Sequence, residues 1–150
     1  MARAQCIIHR DNMLLMAKHR MDGEEWWCLP GGGIEYGETP SEAALRELQE
    51  ECSVKGRIIA EVSHIKYPIE SESYTYLIDI EDSEPKIGDD IDLIGQYLVD
   101  IAWMRLKDIP ERDRAFLWWS GLISIPTFFS EMQQWGDDKS YPNSPRNESV

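Results

Sequence analysis

The sequence predicts an α+β fold in which a mixed β-sheet is sandwiched between helices as three layers (α/β/α). Apolar runs of strand length occur close together, with turn residues between them, and do not alternate regularly with helices. Residues 40–52 combine helical spacing of apolar positions with a clear start signal. The length of 150 residues suits one core, so we expect one domain over residues 1–135 and a polar tail over residues 136–150.

The first predicted elements are two strands joined by a tight turn. Apolar runs at residues 4–8 and 13–18 flank Asp11 and Asn12, which accept turn geometry, so we expect these runs to pair as a hairpin. Residues 21–25 are polar and predict a loop. A short apolar run at residues 26–29 then leads through Pro30 into three consecutive glycines.

The central helix is predicted from its first turn. Thr39 can cap it, Pro40 suits the first helical position, and Glu42 completes a Thr-x-x-Glu capping box. We expect this helix to end near Cys52. Further strands are predicted at residues 54–62, 74–80 and 101–106, an acidic loop at residues 81–92, and helices at residues 114–123 and 127–135.

Charge and composition exclude several classes of function. The net charge of −13 repels nucleic-acid backbones, so we expect no stable DNA or RNA binding. No apolar run approaches the length of a membrane span, and no N-terminal segment has the pattern of a signal peptide, so we expect a cytoplasmic protein without membrane contact. Three cysteines without C-x-x-C spacing argue against a disulfide framework and a structural zinc site.

Three glutamates share one face of the central helix. A helical wheel places Glu47, Glu50 and Glu51 within an arc of roughly 100°, next to an apolar arc that can pack inward. Like charges at this spacing cost a helix a few tenths of a kcal/mol each. Such glutamates are usually a solvated face, but a hard divalent cation such as Mg²⁺ would reverse the repulsion and bridge them to phosphate.

Neighbouring residues favour the metal interpretation. The glycines at 31–33 let the backbone approach a ligand closely, and a carbonyl there can serve as a metal ligand. Arg46 lies beside Glu50 on the wheel, where it can orient a carboxylate or pair with Glu38. No Gly-Lys-Ser/Thr follows the glycines, so the segment is not a P-loop.

The whole segment from Gly32 to Val54 resembles the Nudix box, Gly-x5-Glu-x7-Arg-Glu-U-x-Glu-Glu-x-Gly-U, where U is aliphatic. The matching residues are Gly32, Glu38, Arg46, Glu47, Leu48, Glu50, Glu51 and Val54. Ser53 departs from the pattern, since the family has glycine there. That position ends the helix, where a left-handed conformation favours glycine, so serine should cost about 1 kcal/mol.

The resemblance implies a Nudix fold and hydrolysis of a phosphoanhydride bond in a nucleoside diphosphate linked to another moiety, with Mg²⁺ or Mn²⁺ as cofactor. By position, it implies that Glu47, Glu50, Glu51 and the Gly31 carbonyl are metal ligands. Glu47, Glu50 and Arg46 are the implied catalytic residues, and Glu47 could act as the base or only as a ligand.

Supporting and substrate-binding residues complete the expected site. The resemblance implies supporting roles for Glu38 and Gly32, and for an acid from the loop before the last strand, for which we choose Asp92. Arg20 is our candidate phosphate contact, and Tyr74 our candidate for stacking on a base, although aromatic residues on strands more often belong to the core.

The substrate and the oligomeric state stay open at this point. Nudix subfamilies act on nucleoside triphosphates, ADP-ribose, dinucleoside polyphosphates and nucleotide sugars, and the residues after the box select none of them. Dimers are common among such proteins, so a homodimer is possible. The alternative function is a catalytically silent Nudix-fold sensor of a nucleotide ligand, or an interaction domain. Such domains usually lose the carboxylates that this chain keeps.

Overall fold

The computed structural model describes residues 2–68, 71–89 and 95–133 of the chain. Within these ranges the strands form two four-stranded sheets, and the helices pack on them, so the predicted α+β fold is confirmed. The strands are β1 (Ala2–Ile7), β2 (His9–Arg10), β3 (Met13–Met21), β4 (Glu24–Cys28), β5 (Gly31–Gly33), β6 (Arg57–Tyr67), β7 (Ser71–Asp79) and β8 (Tyr97–Met104).

The first sheet is mixed and has the strand order β5-β1-β7-β6. Strands β1 and β7 run parallel, whereas β5 pairs with β1, and β6 with β7, in antiparallel fashion. Both faces of the central strand β1 are buried: Ala4 and Cys6 belong to one core cluster, and Ile7 belongs to a second. Helices therefore cover this sheet on both sides, as the α/β/α prediction requires.

The second sheet is antiparallel and is built around β3, which pairs with β2, β4 and β8. Its two hairpin turns use residues with positive φ, at Asp11 (53°) and Asn12 (64°), and at Asp22 (53°) and Gly23 (80°). The predicted turn at residues 11–12 is therefore confirmed. The loop predicted at residues 21–25 is wrong, because a two-residue turn lets both strands continue through this segment.

The expected pairing of residues 4–8 with residues 13–18 is also wrong. The partner of the first residues of β3 is the short strand β2, while β1 crosses to the first sheet. Only Ile8 keeps the expected contact, since its carbonyl accepts a 2.9 Å hydrogen bond from the Leu15 N–H. Strand β1 leaves the hairpin because both of its faces are buried in the first sheet. In a hairpin with β3 at the edge of a sheet, one face of β1 would be exposed.

Helix α1 (Pro40–Cys52) has the predicted bounds and the predicted capping box. The Glu42 N–H donates to the Thr39 hydroxyl at 3.2 Å, and the Thr39 N–H donates to the Glu42 carboxylate at 2.9 Å. Its apolar face packs on β1 and β7, so the neighbouring glutamate face is directed along the edge of the first sheet.

The end of α1 is held by the loop after β7. Ser53 has φ 58° and ψ 33°, the left-handed conformation expected at this position. The Lys86 N–H donates to the Cys52 carbonyl and the Gly88 N–H donates to the Glu51 carbonyl, both at 2.9 Å. A Cβ on Gly88 would lie 1.9 Å from the Glu50 carbonyl oxygen, so this close crossing requires glycine.

The C-terminal segment differs from the prediction. The helix expected at residues 114–123 is a short helix α2 (Glu111–Arg114) followed by 3₁₀ turns, and helix α3 (Pro126–Gln133) begins at the proline. Gly121 breaks the helical run with φ 84°, and a Cβ there would lie 2.3 Å from the Val62 carbonyl oxygen. The close packing of Gly121 on β6 therefore ends the helix, although the apolar residues keep helical spacing.

Two sequence predictions fall outside the described residues. Asp92, the chosen loop acid, and the tail at residues 136–150 are both in this position. Among the helices that the structure describes, none is long and apolar enough to cross a membrane.

Candidate active site

The three glycines form strand β5 and turn polar backbone atoms toward α1. The Cys6 N–H donates to the Pro30 carbonyl at 2.8 Å, and the Ile34 N–H donates to the Ala2 carbonyl at 3.1 Å. Because hydrogen-bonded positions alternate along an antiparallel pair, Gly31 and Gly33 direct their backbone groups away from β1. The sequence therefore places a strand edge, with its own donors and acceptors, beside the glutamate face of the helix.

That strand edge binds the helix through one carboxylate and one guanidinium. The Gly31 N–H donates to Glu51 Oε1 at 2.9 Å, and Arg46 donates to the Gly33 carbonyl at 2.9 Å. Glu51 is completely buried. A carboxylate in such a place needs hydrogen bonds or a cation to offset its loss of hydration.

Gly32 makes room for a second carboxylate. A Cβ at this position would lie 2.5 Å from the Glu47 carboxyl carbon, so no other residue type fits without moving Glu47. Gly33 differs, because a Cβ there would meet nothing within 4 Å. The glycine of the box thus leaves the space that the Glu47 carboxylate occupies, and Glu47 is itself only 8% exposed.

Arg46 holds several acids in place. It donates to both carboxylate oxygens of Glu38, at 2.7 and 3.0 Å, to Glu47 Oε1 at 2.9 Å, and at 3.4 Å to Glu50 Oε2. The hydrogen bonds with Glu38, and then those with Glu47, raise the pKa of Arg46 above its usual value despite burial. The same pair lowers the pKa of Glu38. Arg46 is therefore a fixed cation that orients the carboxylates of Glu38, Glu47 and Glu50.

His19 is a site residue that sequence reasoning missed. It is 4% exposed, its Nε2 lies 3.3 Å from Glu51 Oε2, and its Nδ1 lies 3.0 Å from Gln96 Nε2. Burial lowers the pKa of His19, but hydrogen bonds to Cys28 and Glu51 outweigh it and raise the pKa to about 10. Residue 19 carries no local signal of this role, since its partner lies on α1, far along the chain.

A small cavity of about 80 Å³ collects these groups. It brings together four residues predicted from the sequence, namely Gly31, Gly32, Glu47 and Glu51, and its remaining lining residues are Arg3, His19, Gly33 and Gln96. Carboxylates and a strand backbone thus face one small volume.

Three other predicted residues lie elsewhere. The Glu50 side chain is 45% exposed and contacts Arg46. Arg20 forms an ion pair with Glu25 on the neighbouring strand, and Tyr74 donates to Glu72 at 3.0 Å while it stacks on His64. None of the three lines the small cavity, nor the larger cavity described below.

The donor set of the small cavity fits a magnesium-type ion. Among the described residues, no three His, Cys, Asp or Glu side chains already converge as a metal cage. Mg²⁺ does not need one, because it usually keeps several waters and binds through one or two carboxylates together with substrate phosphates. Glu47 and Glu51 supply two carboxylates, and room for Glu47 exists only because residue 32 lacks a Cβ.

A second, larger cavity adjoins the first. Its volume is about 390 Å³, and Arg3 lines both cavities. The other lining residues come from β1, β4, the end of β6, β7 and the C-terminal segment: Gln5, Trp26, Trp27, Cys28, Tyr67, Ser71, Glu72, Ser73, Arg112, Asp113, Phe116 and Trp119. The site therefore has a small acidic compartment and a roomier aromatic one.

Curated relatives match part of the chain. The RNA pyrophosphohydrolase of Zymomonas mobilis is 40% identical over 60 residues, which cover 40% of this chain and 39% of the relative. Nudix hydrolase 25 of Arabidopsis thaliana is 47% identical over 58 residues, or 38% of this chain and 33% of the relative. The matches thus span between a third and two fifths of these relatives.

Solved structures share the fold over more of the chain. An Ap4A hydrolase of C. elegans superimposes with a TM-score of 0.65 and 17% identity, over 86% of this chain and 98% of that one. An ADP-ribose pyrophosphatase of Streptococcus suis has a TM-score of 0.58 and 18% identity, over 73% and 76% of the two chains. The NUDIX domain model matches residues 1–119, which include both sheets and α1. By this match, and by the carboxylates that Arg46 and the glycine strand hold in place, the chain belongs to the NUDIX domain family.

Proposed function

We propose that this protein is a divalent-metal-dependent hydrolase that cleaves a phosphoanhydride bond in a nucleoside diphosphate linked to another moiety. The observation that carries the proposal is the shared cavity of Glu47 and Glu51 beside the glycine strand. Relatives named RNA pyrophosphohydrolase and diphosphoinositol polyphosphate phosphohydrolase match part of the chain, which supports the reaction class.

Within this proposal, Glu47 and Glu51 hold Mg²⁺ or Mn²⁺, with the Gly31 carbonyl as a further ligand. The bound ion would neutralise the phosphate oxygens and lower the pKa of a water molecule. The protein's part is orientation: Gly31 fixes one oxygen of Glu51, and Arg46 fixes one oxygen of Glu47. Glu47 is also the carboxylate that can accept a proton from the attacking water.

The remaining predicted roles follow from position. Glu38 supports Arg46 through two hydrogen bonds. Glu50 stays a predicted third ligand; its side chain contacts Arg46 and does not line the small cavity. A homodimer and a cytoplasmic location stay predictions from the sequence.

A substrate panel tests the proposal. The purified chain is incubated with ADP-ribose, Ap4A, nucleoside triphosphates and nucleotide sugars, with Mg²⁺, Mn²⁺ or EDTA, and products are separated by chromatography. We expect hydrolysis of at least one substrate with metal and none with EDTA. Metal binding without turnover of any substrate would favour the nucleotide sensor instead.

A further inference from the structure

Arg3 occupies the junction of the two cavities. Its side chain is exposed, and it forms no ion pair or hydrogen bond with another residue in the described part of the chain. Its register partners are Gly33 on β5 and Ser73 on β7, so only small side chains flank it on the sheet. An arginine without a partner among the described residues, next to the proposed metal site, is placed to bind an anion such as a phosphate in bidentate fashion.

Aromatic rings line the larger cavity. They belong to Trp26, Trp27, Tyr67, Phe116 and Trp119, and Tyr67 and Trp119 remain 45% and 53% exposed. Large exposed rings beside a cavity offer flat apolar faces on which a planar ligand can stack. The volume of about 390 Å³ lies in the range of small-molecule sites.

The charges in the larger cavity balance. The lining contains two cationic side chains, Arg3 and Arg112, and two anionic ones, Glu72 and Asp113, so its formal charge is zero. Both acids already have protein partners, since Asp113 accepts a 3.0 Å hydrogen bond from the Trp27 N–H and Glu72 accepts one of 3.0 Å from the Tyr74 hydroxyl. Such a lining does not attract a second polyphosphate group, and it suits an uncharged planar one.

We propose that the two cavities form one extended substrate site, in which Arg3 binds a phosphate beside the metal site and the aromatic cavity stacks the nucleobase. This inference rests on the proposed function and deepens it. The base of a nucleotide, and not the phosphates of an inositol-type substrate, occupies the larger cavity. Arg3 then has the phosphate-binding role that the sequence analysis predicted for Arg20.

The test measures nucleotide binding without the metal. The intact chain in EDTA is titrated by calorimetry with AMP, GMP, CMP and UMP, with the four nucleosides, and with inorganic phosphate. Tryptophan fluorescence is recorded in parallel. We expect at least one monophosphate to bind more tightly than inorganic phosphate and than its own nucleoside, and to quench the fluorescence. If no monophosphate binds more tightly than inorganic phosphate, the proposal is overturned.

Variants separate the two compartments. Arg3→Gln should weaken the monophosphate about tenfold or more, the size of one charge-assisted contact, and leave nucleoside affinity unchanged. Trp119→Ala should weaken monophosphate and nucleoside alike. Arg57→Gln and Phe129→Ala, at exposed residues outside both cavities, are matched controls. If Arg20→Gln weakens monophosphate binding and Arg3→Gln does not, the assignment of Arg3 is overturned. It is also overturned if Arg3→Gln weakens nucleoside binding as much as monophosphate binding.

Failure of this inference and failure of the proposed function give different results. Metal-dependent hydrolysis without monophosphate binding in EDTA would refute the extended site and leave the hydrolase assignment intact. Monophosphate binding that depends on Arg3, without hydrolysis of any substrate, would support the extended site and refute the hydrolase assignment.

Discussion

The Gly31 N–H donates a 2.9 Å hydrogen bond to Glu51 Oε1, which ties the glycine strand to the buried carboxylate of α1. Glu51 is completely buried, and its second oxygen lies 3.3 Å from His19. Two sheets and a helix therefore meet at one side chain. The carboxylate keeps a fixed direction before any ion arrives, which lowers the reorganisation needed for metal binding.

The first prediction separates two adjacent glycines. Gly32→Ala would place a methyl group 2.5 Å from the Glu47 carboxyl carbon, whereas the Cβ of Gly33→Ala would meet nothing within 4 Å. We expect Gly32→Ala to lower Mn²⁺ affinity, measured by calorimetry, by about tenfold or more, and Gly33→Ala to have a much smaller effect. Equal affinities in the two variants would contradict the fit between Gly32 and Glu47.

The second prediction concerns the helix end at Ser53. Its left-handed conformation strains any residue with a Cβ, so Ser53→Gly should raise the free energy of unfolding by about 0.5–1 kcal/mol. Ser41→Gly, within the first turn of the same helix, is the matched control and should lower it. Urea denaturation measures both changes. A shift of Ser53→Gly in the same direction as Ser41→Gly would show that the helix end carries no strain.

The local elements of this chain were predictable because their signals are local. Thr39, Pro40 and Glu42 define the start of α1, and the position of Ser53 defines its end, so both bounds follow from neighbouring residues. The glutamate face follows from helical periodicity alone. Glu47 and Glu51 line the cavity, while Glu50 contacts Arg46, and that difference depends on side-chain directions that periodicity does not give.

The long-range parts were not predictable from one sequence. Arg3 reaches the site only because β1 lies between β5 and β7, and His19 reaches Glu51 from the other sheet. Nothing adjacent to either residue encodes those pairings. Gly121 ends a helical apolar pattern for a similar reason, since its backbone packs on Val62 in β6.

The third prediction tests His19 as a positioning residue. Replacing it by leucine removes a partner of a buried carboxylate and should cost about 2 kcal/mol of stability. His19→Gln keeps a donor that can reach Glu51 and should restore part of it. We expect His19→Leu also to raise the Mg²⁺ concentration needed for half-maximal hydrolysis. If stability falls while the Mg²⁺ dependence stays the same, His19 is structural only.

The fourth prediction concerns acid stability. Hydrogen bonds from Arg46 hold the pKa of Glu38 below the ordinary value of a glutamate. A carboxyl with a lowered folded-state pKa stabilises the fold above its unfolded-state pKa, and this contribution is lost as the pH falls through the folded-state value. Glu38→Gln should therefore lower the Tm at pH 7, and the difference from wild type should shrink below about pH 4. Calorimetric scans that show a constant difference from pH 7 to pH 3 would rule out this contribution.

The most direct measurement of the central claim is metal-dependent hydrolysis by Glu51→Gln beside Glu50→Gln. Both changes remove one charge from adjacent residues, but only Glu51 lines the small cavity. With the best substrate of the panel and saturating Mg²⁺, Glu51→Gln should lower kcat/KM by about a hundredfold or more and Glu50→Gln by much less, with both variants folded. If the activity of Glu51→Gln is close to that of the wild type, the proposal that Glu51 is a metal ligand is contradicted.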